Sequence, residues 1–368
     1  MNNKKILILG GYGAVGRRLA RLILNELDAN IVIAGRREDK AEEFAVMLNK
    51  EFPGKRVNYC FADASDLSSL NNAFAAVQLV LVSTTTPEYI NIIAQAALES
   101  GCDYMDILVS DSVVDQLNEF ASTISQRKRT FITQAGFHPG LAAVFIRYCN
   151  KYFDVYEKAI VGMAMNARFE NADQAKEIIP MISEFNPEIY QSGSWRKATY
   201  KDMIEVEMNQ PFGKRKLFPM SMPEIKQTQE MFNLIETGVY VSGFNWFVDY
   251  IIFPVIFLTQ KIKKGFCIGI LTKLFAFGVN TFSGKYEGVE FLIEAEGIKE
   301  GQRLKMRVIA DYNDAYMFTA IPVVACLKQY FDGQFSPGLS MMGHIVDEKR
   351  LMLNMEEMGI NISYETRI

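Results

Sequence analysis

An α/β fold with a doubly wound parallel sheet is predicted for the N-terminal part of this 368-residue chain, and three observations carry the prediction. First, residues 6–37, ILILGGYGAVGRRLARLILNELDANIVIAGRR, read as strand, glycine loop, helix, strand. Second, short apolar runs alternate with helical patterns as far as Thr133. Third, the strand runs are almost wholly apolar, as strands of a sheet covered on both faces must be.

The elements follow in order. Ile6–Leu9 is the first strand and Ile31–Ala34 the second, ending on Gly35-Arg36-Arg37. Asp39–Asn49 has helical spacing. Val57–Phe61 is the third strand, and Leu67–Phe74 is a helix. Leu79–Ser83 is the fourth strand, followed by the Thr84-Thr85-Thr86-Pro87 turn and an amphipathic helix over Glu88–Ser100. Cys102–Asp106 is a strand, Val113–Arg127 a helix and Thr130–Thr133 a strand. Pro139 suits the first position of the apolar helix that covers Leu141–Tyr148.

Gly11-Tyr12-Gly13-Ala14-Val15-Gly16 lies between a strand and a helix, the context in which G-x-G-x-x-G binds a dinucleotide. Gly11 is expected to permit the tight turn, Gly13 to let a pyrophosphate approach the backbone, and Gly16 to let helix and strand pack closely. The free amides and dipole of the helix N-terminus favour the anion. About 20 residues past such glycines an NAD site places a carboxylate on the ribose. Here Arg36 and Arg37 stand there, and no acid follows until Glu38. A guanidinium pairs with a phosphate, so the cofactor is expected to be NADP(H).

Composition narrows the remaining classes. The net charge is -4, from 39 basic and 43 acidic residues, which leaves no nucleic-acid footprint. Cys60, Cys102, Cys149, Cys267 and Cys326 are scattered and form no C-x-x-C pair, so no disulfide framework or zinc site is expected. The chain passes from Met1 almost directly into a strand, which reads as cytoplasmic with no signal peptide.

Ligands of doubly wound sheets lie at the strand carboxyl ends. Asp63 can contact adenine or cap the helix that starts near Asp66. Ser83, Thr84 and Thr85 can line the nicotinamide ribose or merely form a turn. Asp106 can face substrate or satisfy backbone amides. His138, one of 2 histidines, stands before a helix and can serve as a neutral donor, as a proton relay, or have no chemical role. Tyr104 is the remaining proton-donor candidate.

Gly11–Gly16, Gly35-Arg36, Asp63, the Thr-Thr-Pro turn, Gly101-Cys102-Asp103-Tyr104-Met105-Asp106 and Ala135-Gly136-Phe137-His138-Pro139-Gly140-Leu141 occur in one order. Together they resemble the saccharopine dehydrogenase-like (saccharopine reductase) NADP-binding oxidoreductases. Gly101, Tyr104 and Asp106 match that family's Gly-x-x-Tyr-x-Asp. His138 departs from it, replacing the aspartate of Gly-Phe-Asp-Pro-Gly. Thr319–Ala325, Gly333 and Pro337-Gly338-Leu339 extend the resemblance towards the C-terminus. The resemblance implies a Rossmann-type NADP domain over 1–140, an inserted α+β substrate or dimerisation domain over 141–317, and C-terminal helices over 318–368 returning to the first.

The middle region fits such an insertion. Stretches around 154–166, 203–208, 234–241, 286–296 and 303–311 have β character, with a hairpin expected across Gly297–Gly301, while Ile321–Tyr330 and Asp347–Met358 read as helices. Arg168, Arg196, Lys214 and Arg215 are candidates for a substrate carboxylate, or ordinary surface charges. Residues 244–282 are unusually apolar, yet Asn245, Asp249, Pro254 and Lys273 interrupt any membrane span. Three readings stand: a buried layer or homodimer face, the lining of a pocket for an apolar small-molecule substrate, or peripheral contact with a membrane surface through Lys261, Lys263 and Lys264. The expected activity is NADP(H)-dependent hydride transfer to or from a C=N, C=O or activated C=C bond. The alternative is a non-catalytic NADP-binding sensor or scaffold, associated with a membrane surface through 244–282.

Overall fold

Apolar side chains fill most positions of the strands Lys5–Leu9 (β1), Asn30–Gly35 (β2), Val57–Phe61 (β3), Leu79–Val82 (β4), Asp103–Asp106 (β5) and Thr130–Thr133 (β6). Ile6–Leu9 and Leu79–Val82 are essentially inaccessible to solvent, because helices cover both faces of their sheet. The computed structural model describes residues 4–367, apart from 85, 110, 167, 170–178, 180–186 and 264. The chain divides into two units, Met1–Val144 with Tyr316–Met358, and Phe145–Ala315 with Gly359–Ile368.

The first unit holds a 7-stranded sheet in the order Gly338–Met341, β6, β5, β4, β1, β2, β3, every pairing parallel. The chain runs outward from β1 to β3, then crosses back to β4, so the order reverses between β1 and β4. That reversal is the switch point at which such sheets bind ligands. The covering helices include α1 (Ala14–Glu26), α2 (Glu38–Glu51), α3 (Leu67–Phe74) and α4 (Ile90–Ser100). Local chemistry sets their ends: Asp66 accepts from the Ser68 amide to start α3, and Gly101, at φ 69, stops α4.

Three readings of this unit are corrected. Val113–Arg127 is two helices, α5 (Asp111–Asn118) and α6 (Ala121–Gln126), because at Glu119 and Phe120 the backbone switches to three-residue hydrogen bonds. The helix after Pro139 is α7 (Leu141–Asn150), so Pro139 stands outside it, in the preceding turn. Gly338–Met341 is a strand, too short and too mixed in polarity to declare itself locally.

The second unit is built on a 9-stranded mixed sheet. Its strands are Val155–Asn166 (β7), Glu188–Gln191 (β8), Ser194–Lys197 (β9), Ile204–Glu207 (β10), Lys214–Met220 (β11), Glu236–Ser242 (β12), Gly288–Lys299 (β13) and Gln302–Tyr312 (β14). With Gly338–Met341 of the first sheet as β15, the last strand is β16 (Asn361–Arg367). The main path runs β10, β11, β12, β7, β13, β14, β16, and only β7 and β12 pair in parallel along it. The expected hairpin is present, but Lys299 pairs with Gln302, so Glu300 (φ 51) and Gly301 (φ 78) alone make the turn. Gly297 instead marks a register shift against β7, where a Cβ would come within 2.2 Å of the Val155 carbonyl. The C-terminal stretch is also not all helix: after Glu348–Glu357 the chain ends in β16, on the edge of the second sheet.

Residues 244–282 form a helical hairpin, a π-turn over Val248–Ile252 leading into the helix Phe253–Ile262, then the helix Ile268–Phe282. It is not a layer buried within the chain. Val248, Ile252, Ile256, Leu271, Phe275 and Val279 cluster between the helices, while a second set of apolar side chains faces outward.

Candidate functional site

The glycine loop lies at the carboxyl end of β1. Gly10 makes the turn, at φ 84, with its amide donating to the Ala34 carbonyl (2.8 Å). A Cβ there would meet the Thr84 methyl at 2.6 Å. The turn role expected of Gly11 therefore belongs to Gly10, and the Gly10-Gly11 pair is the signal that marks it. A Cβ on Gly11 would crowd Ile33 (3.1 Å) and the Ile8 carbonyl (3.0 Å), so Gly11 serves close packing between β1 and β2. Gly16 has no room for a Cβ, which would stand 2.3 Å from the Gly10 carbonyl. Gly13 differs: it is exposed, its φ is -73, and a Cβ would meet only Gly10 O at 3.2 Å. Gly13 caps α1 with no side chain on the first amides, which leaves an open cradle at a positive helix end. Ala14 and Val15 open that helix, half-buried.

Tyr12 ties this loop to the end of β2. Its hydroxyl accepts from the Arg37 amide (3.0 Å), its ring lies under the Arg37 guanidinium (5.6 Å), and its carbonyl accepts from Arg17 Nε (2.8 Å). Gly35 makes the fit, since a Cβ there would stand 2.6 Å from the Tyr12 hydroxyl. Its role as a slot for a ring has no signature in the residues around it. Arg37 is thus committed to the loop, and Arg36 beside it is exposed at the carboxyl end of β2.

The remaining candidates lie along the same sheet edge. At the end of β3, Asp63 accepts from the Ser65 amide (3.0 Å) and hydroxyl (2.8 Å), and these bonds, with a smaller contribution from the Arg36 charge, hold its carboxyl below its ordinary pKa. After β4, Ser83 donates to the Leu9 carbonyl (3.0 Å) and Thr84 shares a hydrogen bond with Thr86 (2.8 Å). Thr85 lies outside the described residues. The edge order is Asp63, Arg36, glycine loop, Ser83, Asp106, His138, spread over six adjacent strands, or about 24 Å at the usual strand spacing.

Asp106 is completely buried at the end of β5. Its carboxylate accepts from the Leu108 amide (2.9 Å), the Gln134 amide (3.1 Å) and the Tyr104 hydroxyl (2.9 Å). Burial raises its pKa above the ordinary value, and those hydrogen bonds oppose the rise. Tyr104 is equally inaccessible, stacked on Phe131 at 5.0 Å, and burial drives its pKa well up. The pair fastens the turns after β5 and β6 instead of presenting a group to solvent. Gln134 holds a left-handed conformation there (φ 56). His138 follows in that turn, retains some exposure, and leans on Phe137 at 5.8 Å. Loss of water around its ring pushes its pKa down to about 4, so the imidazole is neutral near pH 7.

The basic residues proposed for a carboxylate are not gathered together. Arg196 pairs with Asp202 (2.7 Å), Lys214 with Glu205 on the neighbouring strand (2.5 Å), and Arg215 donates to the Tyr286 hydroxyl (2.7 Å), while Arg168 is exposed. Among the described residues no group of His, Cys, Asp and Glu can hold a metal ion.

Comparison with known proteins agrees with this geometry. Residues 6–135 match the model of the saccharopine dehydrogenase NADP binding domain. The chain is 24% identical to carboxynorspermidine synthase of Vibrio cholerae across 90% of each protein. Its fold matches apo saccharopine dehydrogenase (L-Glu forming) from Saccharomyces cerevisiae with a TM-score of 0.73 at 12% identity, over 100% of both chains. Corynebacterial DAP dehydrogenase in complex with DAP follows at 0.50 and 13%, over 95% of this chain and 96% of that one. The cradle at Gly13 and the exposed Arg36 lie within the matched residues, so residues 6–135 are an NADP(H)-binding domain similar to that of saccharopine dehydrogenase.

Proposed function

We propose that this enzyme reduces a C=N bond joining an amine to a carboxylate-bearing carbon skeleton, or oxidises the corresponding secondary amine. One observation carries the reading: the likeness to carboxynorspermidine synthase extends over 90% of the chain, beyond the cofactor domain. That relative is named for an amine bearing a carboxyl group. The structural relative is named for a reaction that forms an amino acid. One imine–secondary amine interconversion serves both: reduction gives the carboxylated amine, and oxidation followed by hydrolysis of the imine releases an amino acid. The carbon of C=N takes a hydride and the nitrogen takes a proton, giving a secondary amine and NADP+.

NADPH supplies the hydride; the chain supplies binding and orientation. The backbone of Gly11, Tyr12, Gly13, Ala14, Val15 and Gly16 would hold the pyrophosphate, and Arg36 would pair with the 2′-phosphate. Arg37 braces Tyr12. Asp63, Ser83 and Thr84 would shape the walls on either side. His138, neutral at pH 7, donates a hydrogen bond to the substrate. Tyr104 and Asp106 are positioning residues that hold the His138 turn.

The test is NADPH consumption by the purified protein with imines formed from diamines and aldehyde-bearing carboxylates, beside ketones and enoyl compounds. Turnover of imines alone supports the reading. Turnover of only ketones or enoyl compounds sinks it, and tight NADPH binding without turnover of any points to a sensor. In the same assay, Arg36→Asp should lower NADPH affinity by about 100-fold and shift preference to NADH, because a charge-assisted phosphate contact becomes a repulsion. An unchanged preference would place the 2′-phosphate elsewhere. His138→Gln should lower kcat about tenfold, as for one lost hydrogen bond. The kcat profile between pH 6 and 8 should keep its shape, since a group with a pKa near 4 does not titrate there.

A further inference from the structure

The helical hairpin of residues 248–282 carries two apolar stripes on each helix. The inner stripes, Val248, Ile252 and Ile256 on one helix and Leu271, Phe275 and Val279 on the other, close on each other. The outer stripes do not. Ile251, Val255, Leu258 (64% exposed) and Ile262 (72%) follow helical spacing on the first, and Ile270 (62%), Leu274 and Phe277 on the second. Trp246, Tyr250 and Phe266 of the same segment are exposed as well. An exposed apolar face of this extent on a folded chain marks an interaction site.

Most polar side chains of the hairpin bond to its own backbone, and Asn280 bonds to the backbone of Phe169. Asn245 accepts from the amides of Phe247 and Val248 and donates to the Gly278 carbonyl. Asp249 accepts from the Phe244 amide (2.9 Å). Gln260 spans the connecting turn, accepting from the Gly265 amide (2.8 Å) and donating to the Phe266 carbonyl (3.1 Å). Thr259 and Thr272 each donate to a carbonyl one turn back. Internal satisfaction of polar groups is what a hydrocarbon environment demands and water does not.

Charge decides what covers the face. From residue 250 to 286 the sequence holds Lys261, Lys263, Lys264, Lys273 and Lys285 and no carboxylate. Lys261, Lys263, Lys273 and Lys285 are exposed, and Lys264 lies outside the described residues. An isologous pairing with a second copy would bring the same lysines together, while the one acid of the hairpin, Asp249, is hydrogen-bonded to the Phe244 amide. Anionic lipid headgroups complement them, and long lysine stems reach headgroups while their apolar neighbours enter the acyl boundary. The longer helix has 15 residues, about 22 Å, against a hydrocarbon core of about 30 Å. None of the described helices is long and apolar enough to cross a membrane. We infer that this hairpin lies in the surface of an anionic membrane and docks the enzyme there.

Flotation of the full-length protein with phosphatidylcholine vesicles, with and without phosphatidylglycerol, tests the inference. The protein should float with the anionic vesicles and much less with the neutral ones. Lys261→Glu with Lys263→Glu should weaken binding by roughly tenfold or more. Leu258→Glu with Ile270→Glu should abolish it while leaving NADPH affinity unchanged, which shows that the fold is intact and separates this result from that of the reductase assay. Absence of flotation with anionic vesicles overturns the inference. So does a stable dimer in sedimentation that Leu258→Glu dissociates, because the face would then belong to a second copy.

Discussion

Gly13→Val should abolish NADPH binding and leave the protein folded, whereas Gly16→Val should unfold the first unit. Both glycines belong to one short motif, and their surroundings differ. At Gly13 the backbone is ordinary for an L-residue, the position is exposed, and only the Gly10 carbonyl comes within 3.2 Å of an added Cβ. The valine methyls would project from the helix N-terminus into the space where a pyrophosphate meets the amides. A loss of about 100-fold or more in affinity is expected from that exclusion. At Gly16 the Cβ would lie 2.3 Å from the Gly10 carbonyl and 2.8 Å from the Gly11 Cα. Those are backbone atoms and cannot rotate away, so α1 must separate from β1. A cost of about 3 kcal/mol or more is expected, a large part of a domain's stability. Fluorescence titration with NADPH and thermal unfolding of the two variants decide the matter. A Gly16 variant that melts like the parent would show that the loop adapts, contrary to the geometry.

Asp106→Ala is the other substitution with a large expected effect, and its effect is on stability. Two amides and the Tyr104 hydroxyl donate to this buried carboxylate. Removing the acceptor strands those donors away from water, at about 1–3 kcal/mol for each that finds no substitute. The Tyr104 hydroxyl can turn; the amides of Leu108 and Gln134 cannot. A loss of about 3–5 kcal/mol follows, and Asp106→Asn, which keeps one acceptor oxygen, should lose about half as much. Calorimetry of the three proteins measures this. A direct catalytic role predicts the reverse pattern, with Asp106→Asn as stable as the parent but inactive, and that result would remove Asp106 from the positioning role proposed here.

Much of the first unit was legible because its signals are local. An apolar strand, a glycine loop and a helix with one apolar face each follow from the residues within a few positions. Val57–Phe61, Leu67–Phe74 and Thr130–Thr133 occupy the residues that their periodicity marks. In the second unit β8 and β9 went unread, although Ser192-Gly193, at φ 55 and 84, is a local turn signal. β11 and β16 gave less warning: LFPM interrupts alternation with a proline, and NISYETR is mostly exposed on a sheet edge.

The sequence by itself determined the cofactor class, through Gly11–Gly16 and Arg36, and the parallel sheet that carries them, through strands apolar on both faces. Only the tertiary structure decided which of those residues are free to act. It turned Tyr12 under Arg37, beside a Gly35 that has no Cβ to exclude it. It closed Tyr104 and Asp106 into a buried pair, and it left one apolar stripe of each hairpin helix facing outward. The physical reason is range. Strand and helix patterns arise from neighbours in the chain, whereas burial, hydrogen-bond commitment and a depressed histidine pKa arise from atoms brought together across tens of residues, which no local pattern encodes.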